Sequence, residues 1–224
     1  MTDLKRFSEI EEMAVAHHGR EAVDARLSVP RAAAELAKMG DDRILAEMTK
    51  RIFQAGFSWK VIEAKWDGFE AAFEGFDPRR VAAFTFEDIE RLTGDTRIVR
   101  HGKKITSVTE NAAFLLRLAG EHGSAARFIA SWPDDDMVGL MAFLKKNGSR
   151  LGGNTGQYFL RFIGRDSFIF SRDVNAALVR EGVIDKPATS KRDMLKAQAA
   201  INHWREETGR PACQISQILA MSVG

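Results

Sequence analysis

Apolar residues recur at helical spacing along most of the chain, and no segment shows the sustained alternation of apolar and polar residues that is typical of a strand. Short breaks containing glycine separate these amphipathic segments, as at Gly56, Gly75 and Gly120. The pattern predicts an all-α protein of about ten helices. Because no repeat or long linker interrupts it, we expect residues 1–224 to form a single domain.

Residues 141–173 differ from the other segments because two helical patterns flank a glycine-rich turn. The first pattern ends at the turn Asn147–Gly153, which contains too much glycine to continue as a helix. The second begins at Asn154 or Thr155, whose short side chains can cap free backbone N–H groups, and Gly164 ends it. We therefore predict a helix, a hairpin and a second helix.

The hairpin region is basic. From residue 137 to 165 the sequence has no Asp or Glu, but it has the basic residues Lys145, Lys146, Arg150, Arg161 and Arg165. Free N–H groups at a helix start can bind a phosphate oxygen, and a basic run favours a nucleic-acid backbone. The candidate DNA-binding residues are Lys146, Gly148, Arg150, Gly152, Gly153, Asn154 and Thr155. The alternative is an ordinary helical hairpin with a basic face, since glycine turns between helices are common.

Residues that can cap a helix precede several of the apolar patterns. Ser58 stands before one of them, and Asp77 precedes a proline at the first helical position. Thr85 and Asp88 resemble a capping box with Asp in place of the usual Glu. These signals predict where three helices begin.

Composition narrows the class of protein. The chain is 45% hydrophobic and 29% charged, with a net charge of +2, which permits a nucleic-acid partner without requiring one. The single cysteine, Cys213, excludes an internal disulfide and a zinc site with several cysteines. No run of about 18 apolar residues occurs, and the N-terminus has no apolar signal core. We expect a cytoplasmic protein without a membrane partner.

Several short motifs point to a known family. Phe53–Trp59 reads FQAGFSW, Phe76–Leu92 contains FDP, VAA and EDIERL, and Ile98–His101 reads IVRH. These segments resemble motifs of the DNA-3-methyladenine glycosylase I family, within the helix-hairpin-helix glycosylases. The resemblance is close over about residues 40–132 and looser over about residues 140–165.

The resemblance implies the helix-hairpin-helix DNA glycosylase fold, with two lobes around a DNA-facing cleft. It implies an enzyme that flips an alkylated purine of the 3-methyladenine type out of double-stranded DNA and cleaves its N-glycosidic bond. Such a base is cationic, so it is already an activated leaving group. We expect a monomer that needs no cofactor. The alternatives are a catalytically inactive DNA- or damage-binding protein of the same fold, and a glycosylase for a different lesion.

The resemblance also implies a base pocket. The family's base-stacking tryptophan falls on Trp59, which could instead be a core residue. Its base-recognising glutamate falls on Arg51, whose charge would repel a cationic base and puts 3-methyladenine specificity in question. Glu47, one turn earlier, could contact the base or pair with Arg51, and we favour pairing. The candidate base-binding residues are Trp59, Gln54, Phe53, Glu47 and Arg51.

Three departures from the resembled proteins concern metal binding and catalysis. The family's zinc site uses Cys and His from both ends of the chain, whereas this chain has only Cys213 and no matching His, so we expect no metal. The catalytic Asp position of the wider superfamily falls on Ser171, so Asp173, two residues later, is the candidate catalytic residue or an ordinary helix-start charge. Bifunctional members use a lysine of the hairpin to form a Schiff base, and the nearest position here is Asn154, so no lyase activity is expected.

Overall fold

The structure is a computed structural model that describes residues 4–224. Within that range it contains fifteen α-helices, one short 3-10 turn and no strand, which confirms the predicted all-α class. The helices outnumber the expected ten because several apolar patterns break in the middle. The pattern after Ser58, for example, forms two helices, since Lys65 leaves the helical conformation (φ −101°, ψ 5°).

The chain divides into two compact units. The first comprises the N-terminal segment to Arg31, Pro133–Leu140 and Gly164–Gly224, and the second comprises Ala32–Trp132 and Met141–Ile163. The helices of the first unit are α1 (Phe7–His18), α2 (Arg20–Arg26), α13 (Arg172–Arg180), α14 (Lys191–Thr208) and α15 (Ala212–Met221). Those of the second are α3 (Ala33–Leu36), α4 (Asp41–Gln54), α5 (Trp59–Ala64), α6 (Trp66–Ala72), α7 (Pro78–Ala82), α8 (Phe86–Gly94), α9 (Gly102–His122), α10 (Ala125–Ser131) and α12 (Asn154–Phe162). The chain passes from one unit to the other within α11 (Met137–Asn147). The single-domain organisation and the cleft stay predictions.

The first unit packs around its last helix. Helix α15 contacts α1, α13 and α14, and its residues Ile215, Ile218 and Leu219 are fully buried. Trp204 of α14 is also fully buried, and its indole Nε1 donates a hydrogen bond to the Lys5 carbonyl at 3.0 Å. The N-terminal segment is thus held to the C-terminal helices by both apolar packing and a satisfied polar group.

The second unit packs around α4, which contacts α9 and α12. Its apolar stripe buries Ile44, Met48 and Ile52 at the spacing that the sequence pattern predicts. The same face also buries Arg51 and Gln54, which are polar. Buried polar residues within an apolar stripe are uncommon, so this face does more than fill a core.

Most of the predicted helix starts are confirmed. Asp77 accepts a hydrogen bond from the Arg79 backbone, and Thr85 and Asp88 form the reciprocal capping box. Ser171 caps α13. Ser58 lies at the predicted N-cap of α5, but its side chain makes no cap hydrogen bond.

Two element boundaries differ from the sequence prediction. Pro30 and the apolar residues from Ala32 to Met39 predict a helix in the sequence, whereas α3 covers only Ala33–Leu36. The long helix α9 was expected to stop at Gly120 but continues to His122, and Gly123 (φ 83°) follows it. A single glycine lowers helix propensity by only about 1 kcal/mol, which the packing of a 21-residue helix overcomes.

Candidate functional site

A cavity of about 140 Å³ lies within the second unit. It is lined by Arg51, Gln54, Ala55, Trp59, Asn154, Thr155 and Tyr158. Three predicted base-binding residues and two predicted DNA-binding residues therefore meet at one site. An apolar cavity of about 150 Å³ in another protein binds one benzene molecule, so this volume suits a small planar ring.

Aromatic side chains form one side of the site. Trp59 is 43% exposed, so the alternative that it is a core residue is wrong. Its ring lies 5.6 Å from that of Tyr158 and 5.9 Å from that of Phe162, in edge-on orientations. Tyr158 and Phe162 are not among the predicted site residues, although they follow Asn154 at intervals of four residues and so share its helix face.

Arg51 lies between the aromatic residues and the interior of the unit. It is only 5% exposed, and its guanidinium carbon stands 3.7 Å from the centre of the Phe162 ring and 5.3 Å from that of Trp59. A guanidinium over an aromatic face is held by the charge–quadrupole attraction and by stacking. The side chain is therefore fixed in the wall of the cavity.

Glu47 forms an ion pair with Arg51, as predicted, with Arg51 Nε and Glu47 Oε1 2.6 Å apart. A second nitrogen, Arg51 Nη1, is buried without a hydrogen-bond partner. Burial lowers the pKa of Arg51, and the carboxylate of Glu47 opposes this shift. Burial likewise raises the pKa of Glu47, against the attraction of Arg51 and Lys50. Burial thus disfavours the charged form of each partner.

Gln54 brings an amide to the cavity wall. Its Nε2 donates to Glu63 Oε1 at 3.2 Å, and Lys50 Nζ lies 2.8 Å from the other oxygen of Glu63. Gln54 Oε1 is buried and has no hydrogen-bond partner. The amide is therefore oriented by Glu63 while its acceptor remains unused.

Phe53 differs from the other base-binding candidates. Its side chain is fully buried, packs edge-on against Phe69 at 4.7 Å and is absent from the cavity lining. Its backbone oxygen accepts a hydrogen bond from Lys104 Nζ, which also binds the Ala55 carbonyl. Lys104 thus closes the end of α4 beside the cavity, a role that the sequence analysis missed. Burial lowers the pKa of Lys104, and the positive charge of Arg150 adds to this shift.

The predicted helix, hairpin and helix are present as α11, the turn 148–153 and α12. Asn111 of α9 holds the turn in place: its Nδ2 donates to the Ser149 carbonyl at 3.0 Å and its Oδ1 accepts from the Ser149 N–H at 2.7 Å. Leu151 is buried beneath the turn. Lys146 and Arg150, both candidates for phosphate contact, are exposed.

The start of α12 corrects the predicted cap. The N-cap residue is Gly153, at φ 58° and ψ −143°, and no side chain caps the helix. Capping by Asn154 or Thr155 is therefore wrong, and both residues line the cavity instead. Gly156 is not among the predicted site residues, yet an added Cβ there would lie 2.3 Å from the Leu151 carbonyl oxygen. The tight approach of α12 to the turn depends on this glycine.

A family model described as methyladenine glycosylase matches residues 36–147, which is half of the chain. The chain belongs to the methyladenine glycosylase family. It is 43% identical to DNA-3-methyladenine glycosylase 1 of Escherichia coli (strain K12) over 65 residues, which cover 29% of this chain and 35% of that protein. The match thus spans about a third of the length of this curated relative.

Solved structures extend the similarity beyond the matched motifs. The chain is 25% identical to 3-methyladenine DNA glycosylase I from Staphylococcus aureus, with a TM-score of 0.52 over 68% of this chain and 91% of that one. It is 27% identical to another structure of 3-methyladenine DNA glycosylase I, with a TM-score of 0.51 over 68% of this chain and 88% of that one. The methyladenine glycosylase model ends at residue 147, so Tyr158 and Phe162 lie outside it.

The zinc site that the family resemblance implies does not fit the residues present here. Cys213 is buried in the first turn of α15, and its backbone N–H donates a hydrogen bond to Asp166 Oδ1 at 2.8 Å. Within residues 4–224 no group of three or more His, Cys, Asp or Glu side chains converges as metal ligands.

Residues 4–224 also contain no helix that is long and apolar enough to span a membrane.

Asp173 belongs to the first unit of this family member, whereas the cavity belongs to the second. It lies in the first turn of α13, which Ser171 caps, and its partly exposed carboxylate accepts a hydrogen bond from Arg172 Nε at 2.9 Å. The catalytic role of Asp173 stays a prediction.

Proposed function

We propose that this family member is a monofunctional DNA glycosylase, working as a cytoplasmic monomer in base-excision repair, that flips an alkylated purine out of double-stranded DNA and hydrolyses its N-glycosidic bond. The observation that carries the proposal is that one cavity is lined both by Trp59 and by Asn154 and Thr155, the first residues of α12. A base seated there would remain beside the helix start that suits a phosphate. The names of the relatives, which are 3-methyladenine glycosylases, support the same activity.

The hairpin supplies the expected contact with the DNA backbone. Gly153 at the N-cap leaves the first N–H groups of α12 without a side-chain cap. The exposed Lys146 and Arg150 lie on the turn or next to it, in a segment without acidic residues. These contacts would hold DNA of any sequence, while the cavity distinguishes the damaged base.

The cavity offers stacking and hydrogen bonds rather than a covalent nucleophile. By the resemblance, Asn154 is the residue nearest the Schiff-base lysine position of bifunctional superfamily members, and an amide cannot form an imine. Water is then the nucleophile, and the strand remains intact after the base departs. Asp173 is the sequence-based candidate for activating that water.

Release of free base from duplex DNA with one alkylated purine tests this proposal. We expect base release in single-turnover reactions and strand breakage only after alkali, which cleaves the abasic site. Binding without release on every alkylated purine tested would instead support the inactive damage-binding protein. Strand breakage without alkali would contradict the monofunctional mechanism.

A further inference from the structure

The geometry points to a preference for neutral damaged purines over purines that alkylation of a ring nitrogen has made cationic. This inference rests on the proposed function, because it names the substrate class of the same cavity. The residues that carry it are Arg51, which lines the cavity and is buried, and Gln54, its neighbour in the wall. A ligand with an acceptor for Arg51 and a donor for Gln54 would satisfy both.

The positive charge of Arg51 disfavours a cationic base. The guanidinium of Arg51 keeps its proton in proteins, so the cavity wall carries a fixed positive charge. Glu47 compensates this charge only from one side, since it pairs with Arg51 but is absent from the cavity lining. A cationic base would therefore meet Arg51 before it met Glu47, in a partly desolvated site where like charges repel strongly.

The aromatic neighbours of Arg51 fix its orientation toward the cavity. The stack on Phe162 at 3.7 Å and the nearby ring of Trp59 hold the guanidinium in the wall, so it cannot easily turn away from a ligand. A mobile arginine could leave the cavity when a cationic base enters. A stacked one remains and discriminates against the cation.

The cavity wall contains polar atoms of Arg51 and Gln54 that have no hydrogen-bond partner in the protein. Arg51 Nη1 and Gln54 Oε1 are buried without hydrogen-bond partners, whereas Arg51 Nε faces Glu47. Buried donors and acceptors without partners are costly, so a ligand that pairs with them gains affinity. Neutral purines present ring-nitrogen acceptors that ring alkylation blocks.

The charge that develops on the departing base also favours a neutral substrate. Hydrolysis breaks the bond between the sugar C1′ and the base nitrogen, the electron pair leaves with the base, and the water oxygen bonds to C1′. A neutral base departs with developing negative charge and then takes the proton that water gives up, whereas a cationic base departs neutral and that proton goes to solvent. Arg51 in the wall stabilises the first kind of departure and gives no such help to the second.

Binding to uncleavable DNA separates this preference from catalysis. Two duplexes carry a 2′-fluoro sugar that blocks hydrolysis, one with neutral O6-methylguanine and one with 7-methylguanine, which is cationic at the mildly acidic pH of the measurement. We expect the neutral lesion to bind roughly tenfold or more tightly, each measured against its undamaged duplex. Equal affinity, or tighter binding of the cationic lesion, would overturn the inference.

Variants test whether Arg51 is responsible. Arg51→Met keeps the length and apolar contacts and should abolish the preference. Glu47→Gln removes the compensating charge and should enlarge it. Arg80→Met, at an exposed site of α7, removes one positive charge elsewhere in the same unit and should leave the preference unchanged. A preference that Arg51→Met leaves unchanged would contradict the assignment to Arg51.

Excision assays on cleavable duplexes distinguish the inference from the proposed function. Selective binding of the neutral lesion with no release of any base would sustain the inference and defeat the glycosylase proposal. Release of the cationic base alone, with the neutral lesion bound no better than undamaged DNA, would support the glycosylase proposal and overturn the inference.

Discussion

The guanidinium of Arg51 lies 3.7 Å from the centre of the Phe162 ring, so α12 holds in place a charge that α4 carries. Arg51 in turn pairs with Glu47 one turn earlier on α4. The buried guanidinium of Arg51 thus contacts residues of both α4 and α12, which are distant in sequence. The conformation of the cavity wall therefore depends on the helix that follows the hairpin.

Replacing Phe162 with alanine should remove this stack. We expect a loss of about 0.5–2 kcal/mol in the free energy of unfolding, the range of a cation–π contact that is partly desolvated, measured by chemical denaturation. Phe86→Ala is the matched control, because Phe86 is 77% exposed at the start of α8. Equal effects of the two substitutions would show that the stack contributes nothing.

Replacing Trp59 with alanine should weaken binding of the damaged base by about 1–3 kcal/mol through lost stacking. Binding of undamaged DNA should persist, since phosphate contacts by the hairpin are separate from base contacts. Titrating damaged and undamaged duplexes with both proteins measures the difference. Unchanged excision of every tested lesion by Trp59→Ala would mean that the base does not enter this cavity.

Chelators should not change the melting temperature of the protein. A zinc site needs about four suitable ligands, and the chain has one cysteine, Cys213, which is buried. Thermal denaturation with and without a chelator, together with metal analysis of the purified protein, measures this. One zinc ion per chain would contradict the prediction.

Sequence periodicity sufficed for the all-α class, whereas the resemblance to the family indicated much of the cavity. The motif FQAGFSW and the residues before it provided the candidates Arg51, Gln54 and Trp59, and all three line the cavity. The apolar stripe of α4 contained an unused signal, because Arg51 interrupts buried apolar positions. A charged residue at such a position already indicates a special role.

The remaining features depend on packing between distant segments, which periodicity does not report. Nothing in the sequence pairs Asn111 with Ser149, because their hydrogen bonds join α9 to the hairpin turn. Lys104 likewise lies in a basic segment of the sequence, Arg97–Lys104, whereas its ammonium group binds two carbonyls at the end of α4. Local patterns identify helices, but tertiary contacts decide which polar residues hold a site together.

Replacing Asn111 with alanine should loosen the hairpin turn. Two hydrogen bonds to the Ser149 backbone would be lost, and we expect a cost of about 1–3 kcal/mol in the free energy of unfolding, together with weaker binding of undamaged DNA. Glu110→Ala is the control, because Glu110 is the exposed neighbour on α9. Wild-type stability and DNA affinity in Asn111→Ala would show that the turn holds its conformation without this clamp.

The hairpin glycines should separate into two kinds. At Gly156 a new Cβ would lie 2.3 Å from the Leu151 carbonyl oxygen, a backbone atom that cannot move alone. We therefore expect Gly156→Ala to lower the free energy of unfolding by about 1–3 kcal/mol, as other overpacked substitutions do. The helical position would otherwise favour alanine, so the sign of the change tests the contact.

Gly152→Ala should behave differently, because its new Cβ would approach only the flexible side chain of Lys145, at 3.2 Å. Its stability should remain near wild type, while bulkier residues at Gly152 and Gly153 should weaken DNA binding by blocking approach to the phosphate. Titration of undamaged duplex at moderate salt measures that effect. Unchanged affinity in a variant with both glycines replaced by bulky residues would mean that DNA does not bind the hairpin backbone.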